Sequence, residues 1–107
     1  LTRNYSIVGK LRKKGQITEE FEVMLNSLSL EDVIALKLEL ANRAAGGYLY
    51  GLPLWYTMPN IIKEAVFKFA VTGARTKKEA MRFLGLNVTW YNRLYKQFNI
   101  DQYFKEQ

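Results

Sequence analysis

The stretch Arg75 to Ile100, RTKKEAMRFLGLNVTWYNRLYKQFNI, decides how the rest of the chain is read. Thr76 is a good N-cap, and Glu79 three residues later completes a T-x-x-E capping box, so a helix is predicted from Lys77. Gly85 supplies the left-handed residue that ends that helix after about two turns. Asn87 offers a second cap, and a further helix is predicted over 88–98. Asn99, the next best residue after glycine for a left-handed stop, closes it, and Asp101 lies beyond.

Apolar spacing around Gly85 carries more weight than the caps. Ala80, Leu84, Leu86, Tyr91 and Leu94 stand where two steeply packed helices need to fill the wedge between them. On the second helix, Tyr91, Leu94, Tyr95 and Phe98 share one side at 100° per residue. Thr89, Asn92, Arg93 and Lys96 occupy the opposite side with no carboxylate among them. Such donors and amides read base edges and phosphates.

This block resembles the C-terminal helix-turn-helix of the Fis family, which includes the DNA-binding domains of NtrC-type activators. The resemblance rests on Phe83-Leu84-Gly85-Leu86, Tyr91, Tyr95 and Phe98-Asn99-Ile100, in register without a gap and with Asn99 in place of the family's glycine. It implies a helix-turn-helix at 76–99 whose second helix enters the major groove of double-stranded DNA. It also implies a homodimer built by the two preceding helices, acting in transcription or DNA architecture at the nucleoid, in the cytoplasm. On that reading Thr89, Asn92 and Arg93 contact base edges. Arg75, Thr76, Lys77, Lys78 and Lys96 hold the backbone, helped by the free N–H groups at the helix start.

Composition excludes several alternatives. The 107 residues fit one domain, small enough that dimerisation would help it. The chain has no cysteine and no histidine, so disulfides, thiolate chemistry and the common zinc sites are ruled out. No metal or cofactor is expected. No stretch approaches the roughly 20 apolar residues of a membrane span. No spaced pair of acids marks a catalytic site, so an enzyme is not expected. The glycines of 46–51 lack the lysine and spacing of a phosphate loop.

Charge is uneven along the chain. Residues 1–16 hold five bases and no acid, residues 17–58 six acids against Lys37 and Arg43, and residues 59–107 nine bases against four acids. Basic ends around an acidic middle suit a protein whose ends approach nucleic acid.

The N-terminal part, 1–28, is expected to form a basic arm. Tyr5, Ile7, Gly9 and Leu11 alternate with Ser6, Val8 and Lys10, and Ile17, Phe21, Val23 and Leu25 continue a period of two. That pattern reads as a β-hairpin with Arg12-Lys13-Lys14-Gly15 at its tip, where Arg12, Lys13 and Lys14 would touch DNA or a partner protein. A helix capped by Thr18 is the rival, since Phe21, Met24, Leu25 and Leu28 also fit helical spacing.

Residues 29–107 are expected to form the helical domain. Ser29 caps a helix that Gly46-Gly47 stop, and its Leu30, Val33, Ile34, Leu36, Leu38, Leu40 and Ala41 cover more than one stripe. That width fits either a central core helix or a helix paired with a second subunit. An aromatic connector follows, with Tyr48, Tyr50, Trp55 and Tyr56; these either stack on bases or plug the loop onto the core. Thr57 and Pro59 then open a helix that Gly73 ends, with Ile61, Ile62, Ala65, Val66, Phe69 and Ala70 at helical spacing.

The fold class expected from these signals is mostly α, a helical domain ending in a helix-turn-helix, with an N-terminal β-hairpin arm. A protein-interaction module that keeps the helix-turn-helix without binding DNA is the alternative. Trp90 and the modest number of bases on the last long helix suit it.

Overall fold

A computed structural model describes residues 6–47 and 51–105. Among them the chain forms seven helices and no strand: α1 (Ile7–Lys13), α2 (Glu19–Asn26), α3 (Leu30–Ala44), α4 (Leu54–Gly73), α5 (Lys77–Leu84), α6 (Val88–Gln97) and α7 (Ile100–Lys105). Tyr48 and Tyr50 of the connector lie outside the described residues.

Capping chemistry sets most of the boundaries. The hydroxyls of Ser6, Thr18, Ser29 and Thr76, and the Asn87 amide oxygen, each accept the backbone N–H three residues on. These bonds satisfy N–H groups that a helix start leaves without an intrahelical partner. At the other ends, Gly15, Gly46 and Gly85 take positive φ, and paired bonds run back across each turn: Gln16 N–H to the Leu11 carbonyl, Gly47 to Asn42, Leu86 to Met81. Asn99 also takes positive φ, 51°, just past α6, and its N–H bonds the Lys96 carbonyl.

The N-terminal hairpin is therefore corrected to a pair of short helices. The expected tip, Arg12-Lys13-Lys14-Gly15, is the end of α1, and Gly15 closes it in the left-handed conformation that a hairpin turn would also have used. Ile7 and Leu11 fit i, i+4 spacing as well as a period of two. The caps at Ser6 and Thr18 decide the matter, because each satisfies a helical N–H that no strand pairing competes for. The rival reading from Thr18 is the one the structure follows.

The start of α4 is also corrected. It begins at Leu54, not near Pro59, and Pro59 sits at its sixth position. The Pro53 carbonyl accepts from the N–H groups of Tyr56 and Thr57, which starts the helix without a side-chain cap. Pro59 forfeits one bond to the Trp55 carbonyl, and that turn is open to water. Trp55 and Tyr56 lie on this first turn, 85% and 78% exposed, so they do not plug the connector onto the core.

The core gathers in the C-terminal half. Phe67, Val71, Ala80, Tyr91 and Ile100 are buried together, with Leu84, Leu86, Leu94, Tyr95 and Phe98 packed against them. All five expected wedge residues, Ala80, Leu84, Leu86, Tyr91 and Leu94, belong to this cluster. The buried face of α4 is Phe67, Ala70 and Val71, whereas Ile61, Ile62, Val66 and Phe69 face outward. Helix α3 buries no residue, which removes the reading of it as a central core helix.

Candidate nucleic-acid interface

The core fixes how α6 presents itself. Phe67 of α4 meets Tyr91, Phe98 and Tyr95 at ring-centroid separations of 5.2, 5.6 and 6.5 Å. Tilted and edge-to-face contacts of this kind hold rings at defined orientations. The Tyr95 hydroxyl donates to Asp101 Oδ1 at 2.9 Å, which ties α6 to α7. With Tyr91, Leu94, Tyr95 and Phe98 turned inward, the opposite face must look out.

That face carries the expected base contacts Thr89, Asn92 and Arg93, together with Lys96, which was expected to hold the backbone. Thr89, Asn92, Arg93 and Lys96 are all exposed, and their spacing of three, one and three residues keeps them on one side of the helix. No hydrogen bond or ion pair to another described residue engages the Arg93 guanidinium or the Lys96 ammonium. Arg93 instead lies over the Trp90 ring, 4.8 Å from its centroid. The indole is half exposed and flanks the exposed guanidinium.

The other residues expected to hold the backbone gather at the start of α5. Arg75, Thr76, Lys77 and Lys78 are exposed. Thr76 Oγ1 is occupied as an acceptor of the Glu79 N–H, but its own proton remains available to donate. The N–H groups of Lys77 and Lys78 have no intrahelical acceptor at a helix N-terminus. Lys77 Nζ lies 5.5 Å from the centroid of the Tyr91 ring, so this lysine spans from α5 to α6. Between residues 75 and 97 stand six cations (Arg75, Lys77, Lys78, Arg82, Arg93 and Lys96) against the single acid Glu79.

One member of this surface, Arg82, was not singled out in the sequence, and Trp90 was weighed there only as suiting a protein partner. Arg82 is exposed one turn beyond Lys78, and their i, i+4 spacing was the available signal. The contact of Trp90 with Arg93 was also missed, although their i, i+3 relation predicts contact on a helix.

The arm residues are placed differently from one another. Arg12 is engaged by Glu22 of α2 through both its Nε and Nη2 groups. Lys13 and Lys14 are exposed at the end of α1. Among the described residues no cluster of His, Cys, Asp and Glu could hold a metal ion, and no helix is long and apolar enough to cross a membrane. No protein-family model, characterised protein or solved structure matches this chain.

Proposed function

We propose that the chain binds double-stranded DNA as a homodimer, with α5 and α6 acting as a helix-turn-helix and α6 lying in the major groove, in transcriptional regulation or DNA architecture. The observation that carries this reading is the outward face of α6: Thr89, Asn92, Arg93 and Lys96 exposed on one side, with no carboxylate among them. Thr89 and Asn92 address base edges, and Arg93 forks onto a guanine or clamps a phosphate. Arg75, Lys77, Lys78 and Lys96 set the register on the backbone, with Thr76 and the free N–H groups of α5 beside them. Lys13 and Lys14 add contacts only where α1 comes close to the duplex. In a dimer the two α6 helices would stand one DNA turn apart, roughly 34 Å.

Filter binding on duplex DNA across a salt series tests the proposal. Four backbone cations per chain give a slope of log affinity against log salt of about −3 to −4 for each chain bound. Absence of binding at low salt would end the proposal.

The half-exposed Trp90 favours a second reading, in which α6 presents an apolar and cationic surface to a protein. Burial of apolar surface is nearly indifferent to salt, so the same series separates the two.

A further inference from the structure

The N-terminal half of the molecule lacks what holds the C-terminal half together. None of α1, α2 and α3 buries a single residue. Helices of seven and eight residues, the lengths of α1 and α2, are not stable alone in water. Between them and the start of α3 lies an open groove of about 780 Å³, whose walls include Ile7, Leu11, Ile17, Phe21, Leu25 and Val33. Its rim adds Leu30, 76% exposed, while Val23 and Met24 on α2 are each about two-thirds exposed. Apolar side chains this exposed, gathered beside one open groove, are candidates for an interaction surface.

We propose that this groove is covered by the same groove of a second copy of the chain, related by a two-fold axis. The proposal rests on the homodimer in the function proposed above, not on its DNA contacts. It places the interface on α1, α2 and only the start of α3, whereas the family resemblance implies a dimer built by α3 and α4.

Area supports a partner of this size. The chain exposes 8693 Å². A folded monomer of 12.5 kDa exposes about 6,200 Å², leaving an excess of about 2,500 Å². The radius of gyration of 15.9 Å likewise exceeds the roughly 13 Å of a closed domain of this length. Obligate homodimers bury about 1,000–2,500 Å² per subunit, so one such interface accounts for the excess.

Charge supports a second copy over an unrelated partner. The end of α1 carries exposed Lys13 and Lys14, and the start of α2 carries exposed Glu19 and Glu20. A patch holding both signs on adjacent helices is self-complementary: with the two α1–α2 corners at the same end, each copy's lysines meet the other's glutamates.

Sedimentation of the full chain tests this. The expected species has twice the 12.5 kDa mass of the chain, and Phe21→Glu should return it to monomer. The double variant K13E/K14E makes both helices acidic, and E19K/E20K makes both basic. Each alone should weaken self-association by about tenfold or more, and an equimolar mixture should form a heterodimer. Recovery in trans is a result that a contact within one chain does not produce, and circular dichroism checks that each variant keeps its helices. A wild-type monomer at about 100 μM, a dimer untouched by Phe21→Glu or by either reversal, or a mixture that stays monomeric overturns the proposal. A monomer that still binds duplex DNA sinks this interface alone, whereas a dimer that ignores DNA sinks the DNA reading alone.

Discussion

Arg12 of α1 holds both carboxylate oxygens of Glu22 on α2, its Nε on Oε2 and its Nη2 on Oε1, and this fork joins the two shortest helices of the N-terminal half. A bidentate pair fixes orientation as well as distance, so it sets the angle at which the apolar sides of α1 and α2 open into one groove. A basic residue expected at a hairpin tip is here a strut between helices.

The pair makes the N-terminal half sensitive to acid. The hydrogen bond from Arg12 holds the Glu22 carboxyl below the usual carboxylate range, and Glu22 raises Arg12 in turn. A carboxyl lowered in the folded state stabilises it above the ordinary carboxylate range, and that contribution is lost as pH falls through the lowered value. Arg12, raised, stays charged throughout the window. Glu22→Gln should therefore reduce helix content at neutral pH and match wild type once acid has protonated Glu22. Circular dichroism from neutral to strongly acidic pH reads the gap. A gap of constant size at every pH would mean that the pair contributes nothing through charge.

A capping residue and a glycine at the right separation made two of the helices legible. Ser29 with Gly46 brackets α3, and Thr76 with Gly85 brackets α5, because both signals act within one turn and need no tertiary partner. Helix α1 has the same bracket in Ser6 and Gly15, but Ile7 and Leu11 satisfy both periods, and α2 was read only as the rival helix from Thr18. The start of α4 was hidden for another reason. Pro53 caps with its carbonyl alone, so the eye falls on Pro59, which a solvent-exposed turn tolerates.

The two faces of α6 were legible to about the same depth. The inward set Tyr91, Leu94, Tyr95 and Phe98 follows from periodicity, and the exposure of Thr89, Asn92, Arg93 and Lys96 follows from it by geometry. The inward face of α4 did not follow. Its apolar residues run almost all round, so Phe67 and Val71 could not be told from Val66 and Phe69 without the helices that pack on them.

Two glycines predict opposite signs. Gly85 has φ +69° with open space around it, so Gly85→Ala meets no clash but must hold an alanine in the left-handed region. That should cost about 1 kcal/mol. Gly73 is the last residue of α4, has no positive φ, and also has open space where a Cβ would go. Gly73→Ala should stabilise by about 0.5–1 kcal/mol through the unfolded chain. Urea unfolding of the two variants checks both. Equal shifts in the same direction would contradict the backbone assignment at Gly85.

On DNA, Arg93 and Lys77 should fail differently. Arg93→Ala should cost about 1–3 kcal/mol on a preferred site and much less on random sequence, because a fork onto a guanine is lost only where the guanine is present. Lys77→Ala should weaken all sequences alike and make the salt slope shallower by about one unit. A selected duplex and a scrambled one, each titrated at several salt concentrations, give both quantities. Equal losses on both duplexes for Arg93→Ala would assign it to phosphate.

The Tyr91 hydroxyl makes the sharpest prediction about the core. The side chain is 2% exposed and its oxygen, buried, has no hydrogen-bond partner. Burial also pushes its ionisation upward from the usual tyrosine range, so the group stays neutral across the physiological range. A buried hydroxyl left unpaired costs about 1–3 kcal/mol, whereas the ring gains from its contacts with Phe67 and Tyr95. Tyr91→Phe keeps the ring and removes the cost, so it should raise stability by about 1 kcal/mol. Tyr91→Ala removes the ring and should cost about 3–5 kcal/mol. Urea midpoints with unchanged slope are the measurement. A loss of stability in Tyr91→Phe would show that the oxygen has a partner, such as a bound water, and that the wedge between α5 and α6 is less dry than its apolar lining implies.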